Sequence, residues 1–529
     1  MDIKYELSRF VPATISQDAS ELEEWEKTVL DKLFDASKIM NEIFLTQVFS
    51  KNPEIKKKLI EEGDKDKLML FNQHYGPFNR LHHNESFIEG YKKPLGANFY
   101  PEDITKDEFE TFLKEHPEKK EEFKSHLTLI RRDKEKNLIA IHYSEAYKEQ
   151  LEEASKLVKE ASEISENESL KNYLSKLSVA FLKNDYLESD MAWMDLDSRI
   201  EPLLGPYEVY EDELMGLKAC FEAMISIRDK DMTSQLKKLE SVSEELEKNL
   251  PIKIVHKEKR GQHSPILAVN LWLSAGDGRA GIHFTAFNLP NDERVRSKKG
   301  SKKVMLKNMS SLKFKNCTEK IIERVFEKNI YEKINFDSFF IFVVLHEVSH
   351  GIGPGYIRCG QGTEHKSQNT EYISVNEALK ETYPTIEECK ADALGAYNSY
   401  YLEEKEMYEK GFAESISLSY IAGIFRAIRF GLEEAHAGGN IIAYTFLKEQ
   451  DVISYDSEAK KFKIKEQNIR IGITALAKEL LEIEATGDYE RAKSFISKYR
   501  QPPDELKMII KDLEDIPIDI MPQYEKDVQ

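Results

Sequence analysis

Residues Ile341–Gly355 read IFVVLHEVSHGIGPG, an apolar run that turns polar at His346, Glu347 and His350 in the pattern H-E-x-x-H. Residues four apart on a helix lie one turn above each other on the same face. The two imidazoles therefore converge at a spacing that suits a tetrahedral zinc ion. Glu347 follows the first histidine and is rotated from it by about 100°. It reaches a water on the ion without ligating the ion. Zinc lowers the pKa of such a water to about 7, and a neighbouring carboxylate can remove the proton as general base. The Gly-x-Gly-Pro-Gly run beyond His350 cannot extend the helix, which puts the motif at a helix end beside a loop. An apolar helix can carry two histidines at this spacing by chance; the apolar flanks and the helix stop favour the metal.

A catalytic site of this kind needs a third protein ligand, and the candidate stretch is Thr385–Tyr397, TIEECKADALGAY. It reads as a helix with Glu387, Glu388 and Asp392 on its polar side and Ile386, Cys389, Ala393 and Tyr397 on a less polar one. Glu388 and Asp392 are four apart and share a face. One carboxylate can bind the metal while another accepts the outer N–H of a ligand histidine and fixes its tautomer. Alone, this acidic turn reads as a solvated helix face; beside H-E-x-x-H it completes a site with two His and one Glu.

The pair HEVSHGIGPG and EECKADALGAY resembles the dipeptidyl peptidase III family of zinc aminopeptidases, which remove dipeptides from the N-termini of short peptides. The family's acidic segment reads E-E-C-R-A-E, so EECKAD departs by Lys390 and by Asp392 in place of Glu. The best-known members carry H-E-x-x-G-H, one residue longer. The five-residue form occurs in relatives that include plant proteins with such a domain fused to a Nudix hydrolase domain. The resemblance implies one zinc ion on His346, His350 and Glu388, with Glu387 and Asp392 as the outer partners and Glu347 as the base.

It also implies roles elsewhere in the chain. A Glu-x-Tyr pair lines the family's substrate cleft, which carries over to Glu208 and Tyr210 in Gly205–Asp231. The carboxylate would hold the peptide's free amino terminus and the phenol would donate to the oxyanion. Without the resemblance that segment reads as a polar helix start with a partly buried tyrosine. The family's N-x-P-N segment carries substrate contacts to Asn288 and Asn291, although Asn-Leu-Pro-Asn is also good turn chemistry. A family histidine aligns, without gaps, with Tyr420. His436, before Gly438 and Gly439, is a candidate for the same work; its other reading is a helix C-terminal residue interacting with the dipole.

The implied fold is α+β and predominantly helical, with two lobes around a cleft: a helical lobe holding zinc and a lobe containing a small β-barrel. The expected division is 1–225, about 265–305 and about 505–529 for the barrel lobe, with about 226–264 and 306–504 for the zinc lobe. At 529 residues, two or three lobes are the natural expectation. A net charge of −19 argues against nucleic-acid and anionic-membrane partners, both polyanions. Short peptides are the expected substrates. Cys220, Cys317, Cys359 and Cys389 have no disulfide or metal spacing, MDIKYELSRF lacks a signal-peptide core, and no run reaches membrane-span length. A soluble cytoplasmic protein is expected.

Along the chain, Glu21–Phe49 has the spacing of a long amphipathic helix, and Asn72–Pro101 reads as irregular. Thr105 and Glu108 suggest a capping box. Tyr143–Glu188 reads as two helices broken near Ser162–Glu168. Strand character is confined to Ile252–His256, Ile266–Ala275 and Gly281–Asn288, with a turn at Gly276–Arg279, and to an extended Ile516–Pro522. Lys114–Lys136 and Lys298–Lys307 read as solvated surface. The glutamate-rich R-E-x-x-E-E box of a Nudix pyrophosphatase is absent. Two rival functions remain at this level: a zinc peptidase of another cleavage register, and a non-catalytic metal-containing protein that binds peptides or partners.

Overall fold

The computed structural model describes residues 1–253, 265–358, 372–431 and 435–525. Most of the expected strand Ile252–His256, and Cys359, lie outside them. Two compact units divide the chain: Met1–Lys237 with Ser264–Met309 and Asp519–Gln529, and Lys238–His263 with Ser310–Ile518. The fold is α+β and mostly helical. The Asp504–Asp512 helix, assigned above to the barrel lobe, belongs to the second unit. Tyr444 and Lys448 both bond Glu505 there, and Arg324 donates to the Asp512 carbonyl.

The first unit is built around one five-stranded sheet. Its strands run in the order Ile200–Pro206, Phe221–Arg228, Ile266–Gly276, Lys302–Leu306, Ala286–Leu289. Only the pairing of Lys302–Leu306 with Ile266–Gly276 is parallel. The helix Glu24–Val48 buries its apolar stripe on the first three strands, with Phe34 edge-on to Trp272. The expected barrel is thus corrected to an open sheet. Its outer strands, Ile200–Pro206 and Ala286–Leu289, do not pair with each other, and the long helix fills the face that barrel closure would fill with side chains. Phe10–Ile15 and Asp519–Tyr524 form a separate parallel pair.

Several local expectations change for physical reasons. Lys298–Lys307 is not all solvated surface, because Lys302–Leu306 is an inner strand. Lys302 enters the core by giving its ammonium to Glu201 and to the Trp193 carbonyl, above the Trp193 ring. Lys114–Lys136 contains a strand, Thr128–Arg132, paired with Leu138–His142. Thr105 caps the Glu108 amide, but the Glu108 carboxylate binds Arg132 instead of closing a capping box.

The second unit is a helical assembly. Tyr383–Glu404, the acidic helix, packs against Phe336–His350, Phe412–Ala427, Ala435–Glu449 and Glu466–Thr486. Phe336–His350, the motif helix, opens with a capping box between Asn335 and Ser338 and ends at Gly351. Phe340, Ile341, Phe342, Val344 and Leu345 are buried in its middle, and His346, Glu347 and His350 are half-buried at its polar end.

Candidate metal centre

Gly395 sets the separation of the two helices that form the site. A Cβ at this position would lie 3.0 Å from the His346 amide nitrogen, so glycine lets the acidic helix rest on the motif helix backbone without pushing it away. That contact brings Glu387, Glu388 and Asp392 to the two histidines. His346 Nδ1 lies 2.7 Å from Asp392 Oδ1, and His350 Nδ1 lies 2.7 Å from Glu387 Oε1.

With each Nδ1 proton given to a carboxylate, both Nε2 atoms turn lone pairs inward. They are 3.1 Å apart, and Glu388 Oε2 lies 3.6 Å from His346 Nε2 and 3.9 Å from His350 Nε2. Ligand atoms of His346, His350 and Glu388 all fall within 4.8 Å of one another. Three converging acceptors, two nitrogen and one oxygen, are a donor set suited to zinc. Burial opposes a charge on His346, but Asp392 above all, with Glu347 and Glu388, outweighs it and lifts the imidazole to about 9. Burial pushes the Glu388 carboxyl up, yet His436, His346 and His350 together bring it below its ordinary value.

His436 enters this geometry from an unexpected position. The expected helix terminus is reversed: His436 stands in the first turn of Ala435–Glu449, with Gly438 and Gly439 inside the helix. These glycines do not stop the helix because they are close approaches. A Cβ on Gly439 would meet the Cys389 amide nitrogen at 3.1 Å. The packing brings His436 Nε2 to 3.1 Å from Glu388 Oε2, while the ring is 71% exposed. Tyr420, the ungapped match to the family histidine, is instead buried with its ring stacked on Phe342.

The other candidates lie in the first unit. Glu208 follows the strand Ile200–Pro206, and its carboxylate is raised by burial and lowered by Asn291, whose Nδ2 lies 3.5 Å from it. Asn291 also donates to the Tyr207 carbonyl at 3.3 Å. Asn288 pairs with Lys303 on an outer strand. Tyr210 is 79% exposed, and the Glu208 charge, with burial, raises its phenol. Sequence reasoning missed two acids beside this group, Glu222 and Asp277. Burial above all, then Glu211, raises Asp277 to about 7, and Glu222 is held well above the ordinary range by burial, Asp277 and Glu208. It missed Asn440 too, which lies one helical turn from His436 and 3.5 Å from Asp392 Oδ2.

The sequence profile of peptidase family M49 matches residues 103–513. Nudix hydrolase 3 of Arabidopsis thaliana is 33% identical over 99% of this chain and 74% of that protein. Dipeptidyl peptidase 3 of Rattus norvegicus is 27% identical over 37% of this chain and 28% of its own length. The solved structure of DPP III from Caldithrix abyssi is 44% identical, with a TM-score of 0.95 over 99% of each chain. That of dipeptidyl-peptidase III from Corallococcus sp. strain EGB is 34% identical, with a TM-score of 0.83 over 99% of this chain and 96% of that one. On the profile match and these full-length likenesses, the chain belongs to peptidase family M49 and is a metallopeptidase of the dipeptidyl peptidase III kind.

Proposed function

We propose that the chain is a zinc-dependent exopeptidase that releases dipeptides from the N-termini of short peptides. The observation that carries this reading is the triad of His346, His350 and Glu388 ligand atoms, with each histidine oriented by a carboxylate and Glu347 one residue along the same helix. One zinc ion held there would polarise the scissile carbonyl and lower the pKa of water to about 7. Glu347 takes the proton of the attacking water and returns it to the leaving amine. Tyr210 and His436 are assigned donation to the developing oxyanion. Glu208, Asn288 and Asn291 are assigned the amino end of the peptide. The dipeptide register is supported by the names of the relatives.

Among the described residues no helix is long and apolar enough to cross a membrane. Cys220 and Cys389 are buried thiols, which supports a reducing, cytoplasmic setting. The test joins metal analysis to mass spectrometry of products from unblocked and N-acetylated peptides. Zinc at about one per chain, with dipeptides released only from the unblocked peptides, is the expected result. Single amino acids as first products, or unchanged cleavage after acetylation, would overturn the register.

A further inference from the structure

Lys390 stands two residues after Glu388 on the acidic helix and is 2% exposed. Its ammonium lies 2.8 Å from Glu387 Oε2 and 3.5 Å from Glu484 Oε2, and Glu484 is 0% exposed on the neighbouring Glu466–Thr486 helix. The other oxygen of Glu387 is the one on His350 Nδ1. Glu387 is therefore held at both oxygens, by a lysine on one side and by a proposed metal ligand on the other.

The loop after the motif helix covers this arrangement. Gly353 adopts φ +98, a left-handed conformation that favours glycine. A Cβ there would lie 2.9 Å from Leu481 and within 4.0 Å of both Lys390 and Glu484. The Gly353 amide is fixed by donation to Glu247 Oε2 at 2.9 Å. The G-x-G-P-G run thus does more than stop the helix: it passes close to the lysine stem and the Glu484 carboxyl.

We propose that Lys390 is a positioning residue for the metal centre, fixing the Glu387 carboxylate in the orientation that holds the His350 ring toward the ligand triad, with the buried Glu484 carboxyl beside the lysine closing the cluster. This rests on the zinc reading above. The physical reason is that the Nδ1 partner of a ligand histidine sets its tautomer and ring plane. A carboxylate anchored at one oxygen can swing about its last torsion, whereas one anchored at both cannot. The competing view makes Lys390 a structural ion-pair partner, needed only to neutralise buried charge.

The two views separate in the double variant K390M/E484M. It replaces the buried ammonium and the buried carboxyl beside it by apolar side chains of similar length, a kind of replacement that cores commonly tolerate. If Lys390 only satisfies this buried cluster, the double variant folds and binds zinc like the wild type. If Lys390 positions Glu387, it folds but holds zinc more weakly, by about tenfold to a hundredfold, the usual cost of losing an outer partner. Zinc dissociation constants are measured on metal-free protein by competition with a chromophoric chelator, alongside thermal unfolding of the same metal-free samples. K390R, which keeps a donor for Glu387 Oε2, recovers most of the affinity. A folded K390M/E484M with wild-type zinc affinity would overturn the positioning role while leaving the metal reading intact. Wild-type protein that binds zinc no better than His346→Ala would overturn the metal reading, and this inference with it.

Discussion

Glu347 follows a metal-ligand candidate on one turn of the motif helix, and this neighbourhood gives it a role that its burial alone does not. Glu347→Gln keeps the side-chain size and leaves the His346, His350 and Glu388 triad intact, so zinc content should match wild type. The amide cannot accept a proton from water near neutral pH, and turnover should fall by about 10²–10⁴-fold, the usual worth of general acid–base catalysis. Full activity at full zinc occupancy would remove Glu347 from the mechanism. The neighbouring acids separate in the same way. Only Glu388 offers an oxygen to both Nε2 atoms, whereas Glu387 meets the outer nitrogen of His350. Glu388→Ala should therefore lose most of its zinc on dialysis against a weak chelator, and Glu387→Ala should keep more; equal retention would refute the ligand assignment. At this scale the two histidines and the acidic turn were legible from helical spacings in two short stretches, and the choice of Glu388 among the acids came with the family resemblance. Glu484 was not legible, because it reaches Lys390 from a helix almost a hundred residues further along the chain.

The elements were legible where one face is wet. Glu24–Val48, Lys148–Ile164 and Glu168–Lys183 each alternate buried and exposed residues with helical period; the first was read close to its observed bounds, and the break between the other two was placed where it is observed, although Tyr143–Ala146 and the start of Leu187–Met194 were merged into them. The strand Ile200–Pro206 is buried at every position and Phe221–Arg228 nearly so, leaving no alternation to read. Lys302–Leu306 hid behind a lysine whose charge is paired inside the core. The His436 helix was misread because Gly438 and Gly439 look like a terminus in sequence and are close packing in space. The same geometry gives a prediction for Gly395, where a side chain would press on the His346 backbone. Gly395→Val should force the motif and acidic helices apart and destabilise the second unit by about 1–3 kcal/mol, the usual cost of overpacking. Zinc should weaken with it, because the carboxylates and imidazoles ride on opposite sides of that contact. A thermal scan with and without zinc checks both, and a wild-type midpoint in both scans would exclude the close contact.

At the scale of the whole molecule, the division into two units lets acid stability be followed in one of them. His74 is buried in the first unit between Phe10 and Phe87, and burial above all, helped by the Arg80, His82 and Arg9 charges, lowers its pKa to about 3. The unfolded imidazole titrates near 6.5, so between about pH 6.5 and 3 the unfolded chain binds a proton that the folded one refuses. Stability must therefore fall as pH drops through this window. Glu211 acts in the same direction at lower pH: burial raises it, but Arg80 and Lys93 prevail and hold it at about 2, a contribution present above its ordinary pKa and lost on the way down to 2. Asp277, raised to about 7, works oppositely, since its folded form keeps a proton that the unfolded form has lost, and stability declines as pH rises toward 7. These opposed slopes overlap, so the His74 part is isolated by comparing wild type with His74→Phe. All three tryptophans, Trp25, Trp193 and Trp272, belong to the first unit, so tryptophan fluorescence in a urea titration reports the unit that contains His74. Between pH 6.5 and 4 the wild type should lose about 3 kcal/mol more than the variant, at about 1.4 kcal/mol per pH unit for one proton. The slope is the readout, because the variant also changes packing and shifts the absolute stability at every pH. Parallel curves for the two proteins would mean that His74 is not held neutral in the folded state, and that acid sensitivity of this unit begins with the carboxylates instead.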